Sequence, residues 1–270
     1  MSATATFVEV VTLELRRRFA YRTDFWIRSI LSVVVQGTLG YAVWAAVFEA
    51  TGVATIGGYT LGELVVYYLF AALVVLLVRP DFGFVAREIY DGSLTRFFVL
   101  PTSFFLYKLG QQSAQVVLVL FQIVLVTACI SLNPGGVLGT ASVGLDHLLL
   151  GVLAALGAAY LYYVLAFLFE LPAFWMEEVW SLPVSLMFAA NFLGGLLLPL
   201  TAFPPWAQEL LVLTPFPYLI SFPVRTFLGE HDLPAVLAGL AVIAVWCVFF
   251  HLAVRWVWQR GVSRFTGVGQ

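Results

Sequence analysis

Charge is scarce in this sequence. Asp, Glu, Lys and Arg make up 10% of its 270 residues, against 62% hydrophobic residues and a mean hydropathy of +0.99. So little polar surface cannot coat a water-soluble globule, so that class is excluded and a bilayer is the expected solvent. Cysteine is nearly absent too. Cys129 and Cys247 each lie inside an apolar run without a neighbouring Cys or His, which excludes a disulfide framework or zinc cluster and leaves both as small core residues. No GxxxxGK[ST] phosphate loop occurs, so the chain is not expected to handle ATP itself. No HExxH occurs either, and His147, His231 and His251 are scattered over both expected membrane faces. With Glu177 and Glu178 they offer no convergent ligand set, so neither a metal site nor an intramembrane protease is expected. Met1 to Thr23 holds two Glu and four Arg and lacks an uninterrupted apolar stretch, so a cleavable leader is not expected. The absence of an internal repeat weakens an inverted-repeat transporter.

What is present is long apolar runs. Crossing about 30 Å of hydrocarbon takes about 20 apolar residues, and six stretches qualify: 25–48, 61–79, 106–132, 146–171, 179–200 and 234–258. The expected fold is an all-α polytopic membrane protein, one transmembrane domain over residues 1–270. Of the 13 lysines and arginines, all but Arg225 fall before or at the start of the first span, between the second and third, or near the C-terminus. That asymmetry predicts both termini and the segment around residue 90 on the cytosolic side. Trp26, Trp44, Trp175, Trp180, Trp206, Trp256 and Trp258 fall near expected span ends, as interfacial rings do, and Trp246 does not. Glu49, Glu63, Asp146 and His147 sit near outer span ends where water reaches them, so a buried proton relay is not expected. This weighs against the alternative reading, an ion- or proton-coupled secondary transporter of small molecules.

Three segments are not spans. Residues 4–22 repeat Phe7, Val11, Leu15 and Phe19 every four positions, as in an interfacial helix with its arginines near anionic headgroups; a positively charged flank that only sets topology is the plainer alternative. In "REIYDGSLTRFFVLP" (87–101) Ile89, Tyr90, Leu94 and Phe97 share one side of a helix and Glu88, Asp91, Thr95 and Arg96 the other. Gly92 is a helix terminator, Ser93 a cap and Pro101 a stop. The expected product, spanning 82–100, is a kinked amphipathic helix whose apolar face is offered to a partner. The third segment, "TAFPPWAQELLVLTPFPYLISFPVRTFLGEHDLP", is rich in proline, and no part of it is long enough to cross. Over 201–229 it reads as broken or re-entrant helices forming an outer cap, with an external loop packed on helix ends as the plainer alternative. Gln111, Gln115 and Gln122 on the third span, and Gly151, Ala155 and Ala159 on the fourth, read as packing features.

In this order of parts the chain resembles one half-permease of the type-2 ABC exporters, most closely the bacterial branch of ABC-2 family permeases that includes drug and antibiotic exporters. The likeness covers nearly the whole chain. It is carried by "GYTLGELVVYYL" (58–69), "REIYDGSLTRFFVLPTSFFLYKLG" (87–110) and "GGLLLPLTAFPPWAQELLVLTPFPYLISFPVRTFLG" (194–229). The resemblance implies a cytosolic coupling helix between spans two and three and re-entrant helices between spans five and six. It makes Arg87, Glu88, Asp91, Gly92, Leu94, Arg96 and Phe97 the contact to a separate ABC ATPase subunit, present in two copies, which would bind ATP and Mg. It also implies a second permease chain, identical or a sister, in an inner membrane, and a non-catalytic role for this one. The cargo pathway would lie at the permease dimer interface, lined by the second and fifth spans. That nominates Tyr67, Tyr68, Phe70, Met187, Phe188, Asn191 and Phe192, whose aromatic and thioether side chains suit amphipathic or hydrophobic cargo such as a drug, antibiotic, lipid or peptide. Ordinary helix packing serves the same residues equally well, and Asn191 can be satisfied by cargo or by another helix. Beyond the ATPase, the second permease and membrane lipids, no partner is expected, and nucleic acid is not one.

Overall fold

A computed structural model describes residues 3–20, 22–99, 102–131 and 144–265. Among these described residues ten α-helices follow in chain order: α1 (Ala3–Ala20), α2 (Arg22–Thr51), α3 (Leu61–Val78), α4 (Ala86–Tyr90), α5 (Phe104–Ser131), α6 (Leu145–Glu170), α7 (Ser181–Leu193), α8 (Pro205–Val212), α9 (Ser221–Phe227) and α10 (Leu233–Val262). The chain is all-α and polytopic. Among the described residues five helices are long and apolar enough to cross a membrane, within α2, α3, α5, α6 and α10. The expected span over 179–200 takes the form of α7, an apolar helix of 13 residues, about 20 Å long at about 1.5 Å per residue. It is shortened where Gly194 and Gly195, the latter at φ +88°, lead the chain into a turn.

Local chemistry sets the helix ends. Thr60 and Glu63 form a reciprocal capping box at the start of α3, and Arg79-Pro80 terminates it, since proline disfavours helix at the residue before it. Asp232 caps α10 by accepting from the Ala235 N–H at 3.0 Å, with Pro234 in the first turn where its missing N–H is no loss.

Helix α3 is the axis of the fold, packed against α2, α5, α6 and α9. Because lipid tails are as apolar as leucine, close packing and interhelical hydrogen bonds, rather than burial as such, must hold these helices together. Glutamines supply the bonds. Gln115 on α5 donates to the carbonyl oxygens of Leu76 and Arg79, Gln112 donates to Leu77, and Gln122 accepts from Ser29 on α2 at 2.6 Å. Glycines supply the close packing: a Cβ at Gly151 on α6 would overlap the Phe227 ring, one at Gly239 on α10 the Phe222 ring, and one at Gly261 the Phe174 ring. Phe227 is fixed from its other side by stacking on Phe70, centroids 5.2 Å apart. Gly151→Leu is therefore expected to cost about 1–3 kcal/mol through overpacking, read as a lower unfolding midpoint in detergent. Gly37→Ala, at a site with open space around it, leaves the midpoint unchanged or raises it.

On α1, Val10 and Glu14 are buried with Phe7, Val11 and Leu15 half-buried beside them, while Phe19 is 61% exposed. Gly110 lets α5 approach Val10 and Phe7 closely, and Glu14 tolerates burial because Arg17 and Arg18 both pair with it at 3.1 Å. Cys129 is exposed on α5 rather than a core residue, and Cys247 is half-buried. Between α7 and α10 the chain forms the two short helices α8 and α9. The first is exposed through Trp206, Leu210 and Leu213; the second is buried against α6 and α3. Tyr59 donates to Glu230 at 2.6 Å, and Glu230 pairs with Arg225 at 2.6 Å, tying α9 to the loop before α3.

Candidate coupling site and pathway

Between α3 and α5 the chain makes a compact turn whose order cannot come from its own helix. Helix α4 has five residues, and its N-cap position is Val85, whose side chain cannot accept a hydrogen bond. The acceptor arrives from the far end of α6. Glu170, 1% exposed, takes the backbone N–H groups of Gly83, Val85 and Ala86 at 2.9, 2.7 and 3.0 Å. A carboxylate there satisfies the orphan donors of a helix start and complements its partial positive charge. At the other end Gly92, at φ +68°, terminates α4, its N–H reaching the Ile89 carbonyl, and a 3₁₀ turn runs from Ser93 to Val99.

The second clamp is Glu88. Its carboxylate accepts from Lys108 at 2.7 Å and from Arg96 at 2.8 Å, and also takes the Ser93 hydroxyl. Lys108 lies in the first turns of α5, its side chain 8% exposed, so the pair staples α4 to α5. Burial pushes the Glu88 carboxyl upward, but the bonds from Lys108 and Ser93 and the two cationic charges outweigh it, holding its pKa below the ordinary carboxylate value.

The apolar side of the segment faces inward, which corrects the expectation that it is offered to a partner. Ile89, Leu94 and Phe97 are each at most 5% exposed. They pack with Phe104, Phe167, Phe174 and Val254 from α5, α6, the turn after it and α10; Phe97 meets Phe104 edge-on at 4.8 Å. The cause is the aromatic end of the bundle, whose rings take up this face. What the segment presents outward is Arg87, Asp91, Thr95, Arg96 and the exposed side chains of Phe98 and Val99. Arg87 makes no ion pair among the described residues. Of the seven residues expected to contact an ATPase, Arg87, Asp91 and Arg96 are thus on the surface, Glu88 and Gly92 shape it from beneath, and Leu94 and Phe97 anchor it from within.

The candidate pathway residues divide likewise. Tyr67, Tyr68 and Phe70 on α3 are buried inside the chain rather than facing an open surface. Tyr67 donates to the Gly195 carbonyl at 2.8 Å, and Phe70 stacks on Phe227. On α7, Phe188 and Phe192 are exposed at 60% and 48%, and Met187 is half-buried. Asn191 accepts from the Arg79 guanidinium through Oδ1, so its amide oxygen is satisfied by the end of α3.

Glu170 and Lys108, which hold the segment in place, are the side chains that sequence reasoning passed over. The available signal was weak: one acid at the end of the apolar run "LAFLFELPAF" (165–174), with no local base to answer it.

Comparison with known proteins agrees with this architecture. The family described as "ABC-2 family transporter protein" matches residues 34–269. The chain is 34% identical over 85 residues to the inner membrane transport permease YadH of Escherichia coli strain K12, a stretch that is 32% of this chain. The permeases of the same name from E. coli O157:H7 and Shigella flexneri align to the same extent. The chain spans 33% of the length of these curated relatives. No solved structure matches it.

Proposed function

The chain belongs to the ABC-2 transporter family, and from that premise we propose that it is the membrane permease of an ATP-driven exporter whose ATP and Mg are bound by two copies of a separate ATPase subunit. A second permease chain, identical or a sister, completes the complex, and the cargo is an amphipathic or hydrophobic molecule. Both termini and the segment at 82–100 lie in the cytosol, in keeping with the placement of Lys and Arg. The observation that carries this reading is the build of that segment. Its inner side is fixed to α5, α6 and α10, while Arg87, Asp91, Thr95 and Arg96 stand outward without covering. A polar face mounted rigidly on three membrane helices can pass a push from an ATPase into all three at once. Cargo contact falls to the exposed face of α7, through Met187, Phe188 and Phe192, where a second permease would close the pathway.

The proton-coupled alternative gains nothing from the structure. The buried acids Glu14 and Glu170 are each engaged near one end of the bundle, by arginines and by backbone amides respectively. The test is co-expression with a candidate ABC ATPase subunit. Arg87→Ala and Asp91→Ala, both at exposed positions, are expected to leave detergent stability unchanged. Each is also expected to cut copurification with the ATPase, or its stimulated hydrolysis, by about tenfold, the effect of losing an interface hot spot. Full coupling in the double variant would overturn the docking assignment. Transport driven by a pH gradient with no ATPase present would overturn the exporter reading itself.

A further inference from the structure

A groove of about 640 Å³ opens beside the coupling segment, walled by the start of α5, by α6 and by the last turns of α10. Three features set it apart from an ordinary gap between helices. Thr102 lines it, is only 8% exposed, and has a hydroxyl that makes no hydrogen bond among the described residues. His251 lines it too, with a buried Nδ1 that has no hydrogen-bond partner among the described residues and a ring edge-on to Phe105 at 5.2 Å. Arg255, one helical turn further along α10, is exposed at the groove and makes no ion pair among the described residues. The start of α5 completes the polar set: Ser103 accepts from the Leu106 N–H at 3.3 Å, leaving the Phe104 and Phe105 amides as first-turn donors without helical acceptors. Donors thus outnumber acceptors, and one of them carries a full positive charge.

The rest of the lining is apolar, with Phe104 stacked on Trp258 at 5.4 Å. On the face of α10 that carries Arg255, Val248 and Leu252 are 61% and 59% exposed, so an apolar surface leads from the groove along the membrane-spanning helix. An occupant must therefore offer an anionic oxygen cluster at one end and hydrocarbon at the other. We propose that this groove binds the phosphate headgroup of an anionic phospholipid. Its phosphate meets Arg255, Thr102 and the α5 amides, and its chains run along α10. Because Phe97 and Phe98 of the coupling segment also line the groove, an occupied site braces that segment from the membrane side.

The test needs no ATPase, so its failure leaves the permease reading untouched. Purified full chain in detergent, mixed with equal amounts of phosphatidylglycerol and phosphatidylcholine, is analysed by native mass spectrometry. About tenfold preferential retention of phosphatidylglycerol is expected, the scale of one charge-assisted contact. Arg255→Gln and Thr102→Val together are expected to abolish the preference; Arg264→Gln, exposed just past the end of α10, is expected to preserve it. Equal retention of the two lipids by the unaltered chain, or an unchanged preference in the double variant, overturns the proposal. So does an equal loss in Arg264→Gln, which would mean diffuse charge attraction, or displacement of the lipid by excess inorganic phosphate, which would mean a free-anion site.

Discussion

Replacing Glu170 by alanine is expected to release the segment at 83–99 from the helix bundle and to uncouple the permease from its ATPase. One carboxylate accepts three backbone N–H groups there. Hydrogen bonds to a charged acceptor contribute about 1.5–3 kcal/mol each, and non-additivity still leaves a loss of at least about 3 kcal/mol in the docking of α4. Three buried amides would be left without an acceptor, so α4 would fray and Ile89, Leu94 and Phe97 would lose their fixed placement. Glu170→Gln should be milder, since one amide oxygen can still take the Val85 and Ala86 N–H groups and only the bond from Gly83 is lost. Limited proteolysis around residues 81–99 would rank the three proteins as wild type, Gln, Ala in order of increasing cleavage. ATPase stimulation should fall in the same order. Equal protease resistance in wild type and Glu170→Ala would show that the aromatic packing alone holds the segment.

This dependence on a residue at position 170 explains what the sequence could and could not show. Membrane spans are legible because backbone in hydrocarbon must satisfy itself locally, which forces long apolar runs. Four of the five long helices largely coincide with stretches visible in the hydropathy, while α2 begins a little earlier and ends later, at Thr51. Turn chemistry was legible for the same local reason. Gly92 has the positive φ expected of a terminator, and Thr60 and Glu63 cap each other within one turn. The direction of the coupling segment's apolar face was not legible. Its period shows that Ile89, Leu94 and Phe97 share a side, but whether that side meets a partner or the same chain depends on Phe104, Phe167, Phe174 and Val254, which lie up to 165 residues away. Tyr67 and Phe70 were ambiguous in the same way. Aromatic residues on a span suit cargo and packing alike, and contacts with Gly195 and Phe227 place these two in the packing.

The Glu88–Lys108 pair carries the second large effect, and there the two charges are not equivalent. Glu88→Ala would leave the Lys108 ammonium, 8% exposed, without a counter-ion at the inner end of α5, a change expected to cost on the order of 3–5 kcal/mol. Lys108→Met in the same background should restore most of that loss, because removing both charges of a buried pair is close to neutral. Arg96→Ala should cost no more than about 1 kcal/mol, since its guanidinium is 60% exposed and solvated. Thermal midpoints of wild type, Glu88→Ala, Lys108→Met and the double variant in detergent give the coupling energy directly, and independent, additive losses for Glu88 and Lys108 would refute the pairing. The pH dependence has a fixed sign. Because the folded Glu88 carboxyl titrates below its unfolded value, its contribution is complete above the ordinary carboxylate range and is lost as pH falls through the depressed value. The stable double variant also separates architecture from coupling. Its outward face retains Arg87, Asp91 and Arg96 but lacks the salt bridge that joins that face to α5. If the pair only maintains the fold, the double variant should regain ATPase stimulation along with stability; if the pair transmits force, it should regain stability alone.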